Sequence, residues 1–233
     1  MARKFGVSVI SMLPYSLGPN GLGRSVEIAV NAGMDGVQAL PLYGWNPKLF
    51  PERGVLSIEE AWGQGSNYNQ HSVRNYLLFD REYRSFYLYN KLYAKYPYAI
   101  RSMHGVYTDP VEIHPELKIS EEGYLRAGFP IVFDTHHVRR IGANGEPPVT
   151  TDPLRFISLL GKRIQLIHLR LSHEEEKSLL KQEETSEIVK VAKSLNSYTK
   201  CNVILELVPK IQSKTQLIKR LRGLYLASNR YLH

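Results

Sequence analysis

Short apolar runs rich in valine and isoleucine alternate along this chain with stretches whose apolar residues recur at helical spacing. Phe5 to Met12 reads as a strand, and Gly23 to Ala32 as a helix ended by Gly33. Gly36 to Leu40 is a second strand, Arg81 to Tyr96 a helix and Tyr98 to His104 a third strand. Phe129 to Phe133 is nearly all apolar, as expected of a strand buried on both faces of a parallel sheet. Pro153 to Leu160 predicts a short helix and Ile164 to Leu169 a strand. Ser172 to Ser197 reads as one long helix, opened by a serine cap with three glutamates in its first turn. Cys201 to Val208 is the last strand and Gln212 to Tyr231 a closing basic helix. Such alternation implies parallel strands joined by right-handed crossovers.

Two segments break the rhythm. Pro41 to Asp80 is long and irregular, with Trp45, Trp62 and several glycines and asparagines. A segment of that length in one domain is usually a lid or an excursion, and its aromatic residues favour an ordered lid over residues 42–80. Val106 to Gly128 is too short for two strand–helix units. Six strands are legible, so the expected fold is α/β, a (β/α) TIM-type barrel that is incomplete or has irregular middle strands. The 233 residues fit one such domain, residues 1–233, and no linker or repeat divides them.

Composition narrows the function classes. Thirty Lys and Arg against twenty-two Asp and Glu make the chain basic, which favours an anionic partner such as a sugar phosphate or, less readily, a nucleic acid. One cysteine, Cys201, forms no intrachain disulfide, and a cytoplasmic setting is expected. No run approaches the ~18 apolar residues of a membrane span, so no membrane partner is expected. Walker-type glycine loops, cysteine-based zinc motifs and serine elbows are absent from the sequence.

The chemistry collects at strand ends, where a parallel barrel places its active site. The third strand ends in His104, the next in Asp134-Thr135-His136-His137, the next in His168 and the last in Glu206. Any one of these has a bland explanation as a hydrogen-bonded core residue. Burying all of them together is costly unless they pair or bind a cation. Mixed imidazole and carboxylate ligands suit a divalent ion: Zn²⁺, Mn²⁺, Fe²⁺, Co²⁺ or, with water, Mg²⁺.

The same residues carry a family resemblance. Ala32-Gly33-Met34-Asp35-Gly36-Val37-Gln38, Met103-His104-Gly105, Phe133-Asp134-Thr135-His136-His137, Ile167-His168-Leu169 and Leu205-Glu206 together resemble, in order, the strand-end motifs of the xylose-isomerase-like TIM-barrel superfamily. The resemblance implies that Asp134, His168 and Glu206 bind the metal, with His137 and His104 as further ligands or substrate-orienting groups. The sequence departs from the pattern at three points. The family's second-strand glutamate is Gln38, Arg170 stands where an aspartate is common, and no apolar strand ends in glutamate between His104 and Phe129. Glu112 and His114 lie in that gap but read as loop beside Pro110 and Pro115.

By that resemblance the expected function is a metal-dependent sugar or sugar-phosphate isomerase or epimerase. Glu206 is its proton-transfer group, with His137 beside it. Arg170, Arg139 or Arg140 would hold an anionic group, with Trp45 and Tyr15 against a sugar face. Two alternatives stay open: a degenerate barrel that binds a ligand without catalysis, favoured by the missing glutamate, and an endonuclease IV-like phosphodiesterase acting on DNA, whose ligands His104, Asp134, His137, His168 and Glu206 resemble in order and whose substrate suits the basic charge.

Overall fold

A computed structural model describes residues 3–39, 46, 49, 51, 53–60, 74–77, 111–113, 115, 118–128, 130–142 and 145–232. Its strands are β1 (Phe5–Ser8), β2 (Gly36–Ala39), β3 (Val55–Glu60), β4 (Arg74–Leu77), β5 (Val111–Glu112), β6 (Ile131–Asp134), β7 (Ile164–Leu171) and β8 (Asn202–Leu207). Its α-helices are α1 (Gly21–Asn31), α2 (Glu121–Ala127), α3 (Pro153–Leu160), α4 (His173–Leu180), α5 (Glu187–Tyr198) and α6 (Lys214–Leu232).

Six strands, in the order β6-β7-β8-β1-β2-β3, pair only in parallel and curve into a half-barrel. The expectation of a TIM-type barrel is corrected at this point. Hydrogen-bonded neighbours do continue from β3 through β4 and β5 back to β6. Among the described residues, however, β4 breaks the parallel order. β4 runs antiparallel to β3, with Glu60 opposite Arg74, and meets β5 through the single antiparallel pair Arg74–Val111. The chain therefore reverses between β3 and β4 as a hairpin does, whereas a parallel barrel strand requires a crossover. The fold is an open α/β half-barrel whose gap is spanned by one reversed strand and the two-residue β5. Both β3 and β4 fall inside the segment expected to be a lid. The helix and strand expected over residues 81–104 lie outside the described residues.

Period-two alternation sorts the strand residues. Leu56, Val132, Leu166 and Ile204 make a small cluster on the concave side. A β-carbon at Gly6 would lie 2.8 Å from Leu56 Cδ1 and 3.0 Å from Ile204 Cδ1, so a larger residue there would displace the ends of these side chains. Val7, Val37, Phe133, Ile167, Val203 and Leu205 face outward into the main core, against Ile28, Phe156, Leu195 and Leu221 of the helices. Two residues beyond each member of the concave cluster on β6, β7 and β8 stand Asp134, His168 and Glu206. All three share the concave face at the strands' C-terminal ends.

Local chemistry explains the helix limits. Asp152 Oδ1 accepts the Arg155 N–H at 3.0 Å and Pro153 opens α3, so the sequence reading of that helix holds. Ser172 and Glu175 form a reciprocal capping box on α4. The long helix expected from Ser172 to Ser197 is instead two. Gln182 adopts a left-handed backbone, φ 59°, after α4, and the chain restarts at α5 behind Ser186. The first strand also ends early, at Ser8, where residues Val9–Met12 wind into a 3-10 turn.

Candidate metal centre

Asp134 closes β6 and begins a turn. Its Oδ1 accepts the backbone N–H groups of His136 and His137, each at 2.7 Å. That double acceptance bends the chain back and brings the His137 ring over the strand ends. Its other oxygen, Oδ2, is buried and accepts no hydrogen bond. Thr135 Oγ1 donates to the carbonyl of Arg170 and accepts that residue's N–H, both at 3.1 Å, which ties the end of β6 to β7. Within the ladder Asp134 lies opposite His168, and Arg170 opposite Glu206.

The structure adds a residue that the sequence reading set aside. Glu112, taken as loop, is the second residue of β5 and lies opposite Val132 of β6. It is 2% exposed. Its Oε1 is 3.0 Å from His137 Nδ1 and its Oε2 3.4 Å from His168 Nδ1. Glu112, Asp134 and His168 thus form a buried group whose potential ligand atoms all lie within 4.8 Å of one another. This differs from the expected trio of Asp134, His168 and Glu206 by one member. Glu206 stands next to the group, its Oε1 3.5 Å from His168 Nδ1.

The hydrogen bonds assign the tautomer of His137. A guanidinium only donates, so Arg170 Nη1, 2.7 Å away, gives its proton to His137 Nε2. The ring proton then sits on Nδ1 and is donated to Glu112 Oε1. Arg170 thereby fixes His137, and His137 fixes Glu112. Arg170 Nη1 also lies 3.9 Å from Glu206 Oε2, with its side chain 43% exposed at the mouth of the site.

The carboxylates differ in their proton affinity. Burial alone would raise Glu112, but the facing His168 and His137 outweigh it and hold the carboxyl well below the usual range. Glu206 is pushed up, first by burial and then by the neighbouring charges of Asp134 and Glu112, against the opposing pull of His168. Burial keeps His136 below its ordinary value, which Asp134 only partly offsets.

Other expected residues are placed as follows. Arg139 donates to the Thr135 carbonyl at 2.6 Å and is paired with Glu175 at 2.7 Å and Glu187 at 3.0 Å, so its guanidinium is committed to α4 and α5. Arg140 donates to the Ile141 carbonyl at 3.3 Å. Tyr15 donates its hydroxyl proton to the Gln212 carbonyl at 2.8 Å, joining the loops after β1 and β8. His104, Trp45 and His114 lie outside the described residues. Gln38, noted only as a departure from the family pattern, is fully buried with its Nε2 2.9 Å from His168 Nε2. Its register partner Ser8 and the inward period of β2 were the signals that placed it on the site's face.

The donor set fits a divalent ion. Two carboxylates and one imidazole converge in a buried space, and Asp134 presents there an oxygen that accepts no hydrogen bond. Leaving such an oxygen dry is costly unless a cation or water meets it. Comparisons with protein-family models, with curated proteins and with solved structures returned no match to this chain. Among the described residues, no helix is long and apolar enough to cross a membrane.

Proposed function

We propose that this protein is a metal-dependent isomerase or epimerase acting on a sugar or sugar phosphate. The observation that carries the reading is the convergence of Glu112, Asp134 and His168 with Glu206 at their edge. The ordered motifs that resemble the xylose-isomerase-like superfamily support the same reading. Glu112, Asp134 and His168 would hold the ion, with Glu206 adjoining. A bound divalent cation would supply Lewis-acid polarisation of a carbonyl, making the neighbouring C–H acidic.

The chain's own groups would do the rest. Glu206 is the carboxyl with raised proton affinity, and its side chain is the most exposed of the three, at 16%. Those properties suit a group that takes a proton from carbon and returns it, an action worth about 10²–10⁴-fold. Glu112 is a second buried carboxylate beside Glu206, its Oε2 3.4 Å from the same His168 Nδ1 that lies 3.5 Å from Glu206 Oε1. Its place in the group supports the catalytic reading over a barrel that only binds a ligand. Arg170 and His137 line the mouth beside Glu206, where donors to substrate oxygens are required.

The test is metal content of the purified protein together with solvent exchange. Incubation with ketoses, aldoses and their phosphates in D₂O should incorporate deuterium beside the carbonyl of one substrate. The incorporation should vanish in Glu206→Gln and after chelation. A protein that binds no divalent metal after reconstitution, or that exchanges no carbon-bound hydrogen on any substrate of this class, overturns the reading.

A further inference from the structure

We infer that Gln38 is a positioning residue that chooses which nitrogen of His168 faces the metal, and that its amide turns over when the metal binds. The inference rests on the metal-site reading above and extends it to a residue on the far side of the half-barrel.

Gln38 and His168 are both fully buried, and Gln38 Nε2 lies 2.9 Å from His168 Nε2. An amide nitrogen donates and never accepts. With the amide in this orientation His168 Nε2 accepts, which assigns the proton of a neutral ring to Nδ1. Two carboxylates lie near that nitrogen, Glu112 Oε2 at 3.4 Å and Glu206 Oε1 at 3.5 Å.

A metal held by Glu112 and Asp134 would meet His168 through Nδ1, the nitrogen on their side. The ring proton must then reside on Nε2, so the proton count of the imidazole is unchanged while its tautomer reverses. An Nε2–H needs an acceptor, because a ligating histidine anchors its other N–H on an oxygen. Gln38 supplies one by rotating its terminal amide so that Oε1 replaces Nε2. A glutamine satisfies both tautomers. A glutamate accepts in only one of them, and a methionine satisfies neither. This gives a physical use to the glutamine that stands where the resembling family carries glutamate.

The experiment uses the full chain labelled with ¹⁵N-histidine, dialysed against chelator and then titrated with Zn²⁺. Wild type is compared with Gln38→Glu and Gln38→Met, and His168→Asn serves to assign the signals. Long-range ¹H–¹⁵N correlation of the rings is expected to show His168 protonated on Nδ1 without metal and on Nε2 with Zn²⁺. Gln38→Glu should already hold the proton on Nε2 without metal and should keep Zn²⁺ affinity within about tenfold of wild type. Gln38→Met, of similar length, should lose about 10–100-fold in affinity, the usual cost of removing such a partner.

An Nε2-protonated or doubly protonated His168 in the metal-free wild type overturns the inference. So does a Gln38→Met variant that binds Zn²⁺ as tightly as wild type, and in that case the metal-site reading survives. A wild type that binds no Zn²⁺ sinks the amide rotation and the metal-site reading together, although the Nδ1–H assignment is still read directly.

Discussion

Asp134 performs two tasks with its two oxygens, and substitution separates them. Oδ1 accepts the N–H groups of His136 and His137, each at 2.7 Å, while Oδ2 accepts nothing. In Asp134→Asn the carbonyl oxygen keeps both bonds, and an uncharged NH₂ takes the position of Oδ2. In Asp134→Ala both N–H groups lose their acceptor. An unsatisfied buried donor costs about 1–3 kcal/mol. His137 is 7% exposed and His136 only half-buried, so we take about 3 kcal/mol for the pair. For a chain of this size about 1 kcal/mol moves Tm by ~2–4 °C, which gives a loss of about 6–12 °C in the metal-free protein. Asp134→Asn should stay within about 1 kcal/mol of wild type, or gain slightly, because it removes one of three carboxylates that crowd the site. Both variants should lose metal binding. The assay is thermal unfolding by circular dichroism in chelator, beside Zn²⁺ titration calorimetry. If Asn destabilises the metal-free protein as much as Ala, or if Asn binds Zn²⁺ like wild type, the division of labour between the two oxygens is refuted.

Further outcomes are expected elsewhere. Glu206 is raised in the folded state, so it binds a proton at pH values where the unfolded chain has already lost it. In the metal-free protein its stabilising contribution is complete below the ordinary carboxylate range and falls as pH rises through the folded value; denaturant unfolding of Glu206→Gln against pH should lack that fall. Glu112 has the opposite sign: its contribution is present above the ordinary range and lost on acidification, so Glu112→Gln should flatten the acid limb of the same profile. Burial pushes the Cys201 thiol up to about 11, so its reaction with a disulfide reagent at pH 8 should be roughly two orders of magnitude slower than that of an unfolded cysteine, and equal rates would refute the assignment. A β-carbon at Gly36 would come within 2.1 Å of the Gly54 carbonyl oxygen, so Gly36→Ala must push β2 from β3 and should cost about 3 kcal/mol in denaturant unfolding.

The sequence by itself determined the regular half of this molecule. Ile131 to Phe133 and Val203 to Leu205 are apolar on both faces because the strands they form are covered on both faces, and such runs need no tertiary information to be read. The cap at Ser172 was equally legible, because it acts on an N–H group three residues along the chain. Asp134, His168 and Glu206 could be placed on one face because each follows its strand's inward residue by two positions. What only the tertiary structure decided depends on contacts distant in sequence. Glu112 sits on a strand of two residues, too short to show any period, and it becomes part of the site through pairing with β6 and contact with His137 and His168. The guanidinium of Arg139 is drawn to glutamates 36 and 48 positions away, and no local pattern announces that. The reversal of β4, which turns an expected barrel into an open half-barrel, shows only in its antiparallel pairing with β3. Periodicity reports which face of an element is buried, and it carries no information on the direction in which a short strand joins its neighbour.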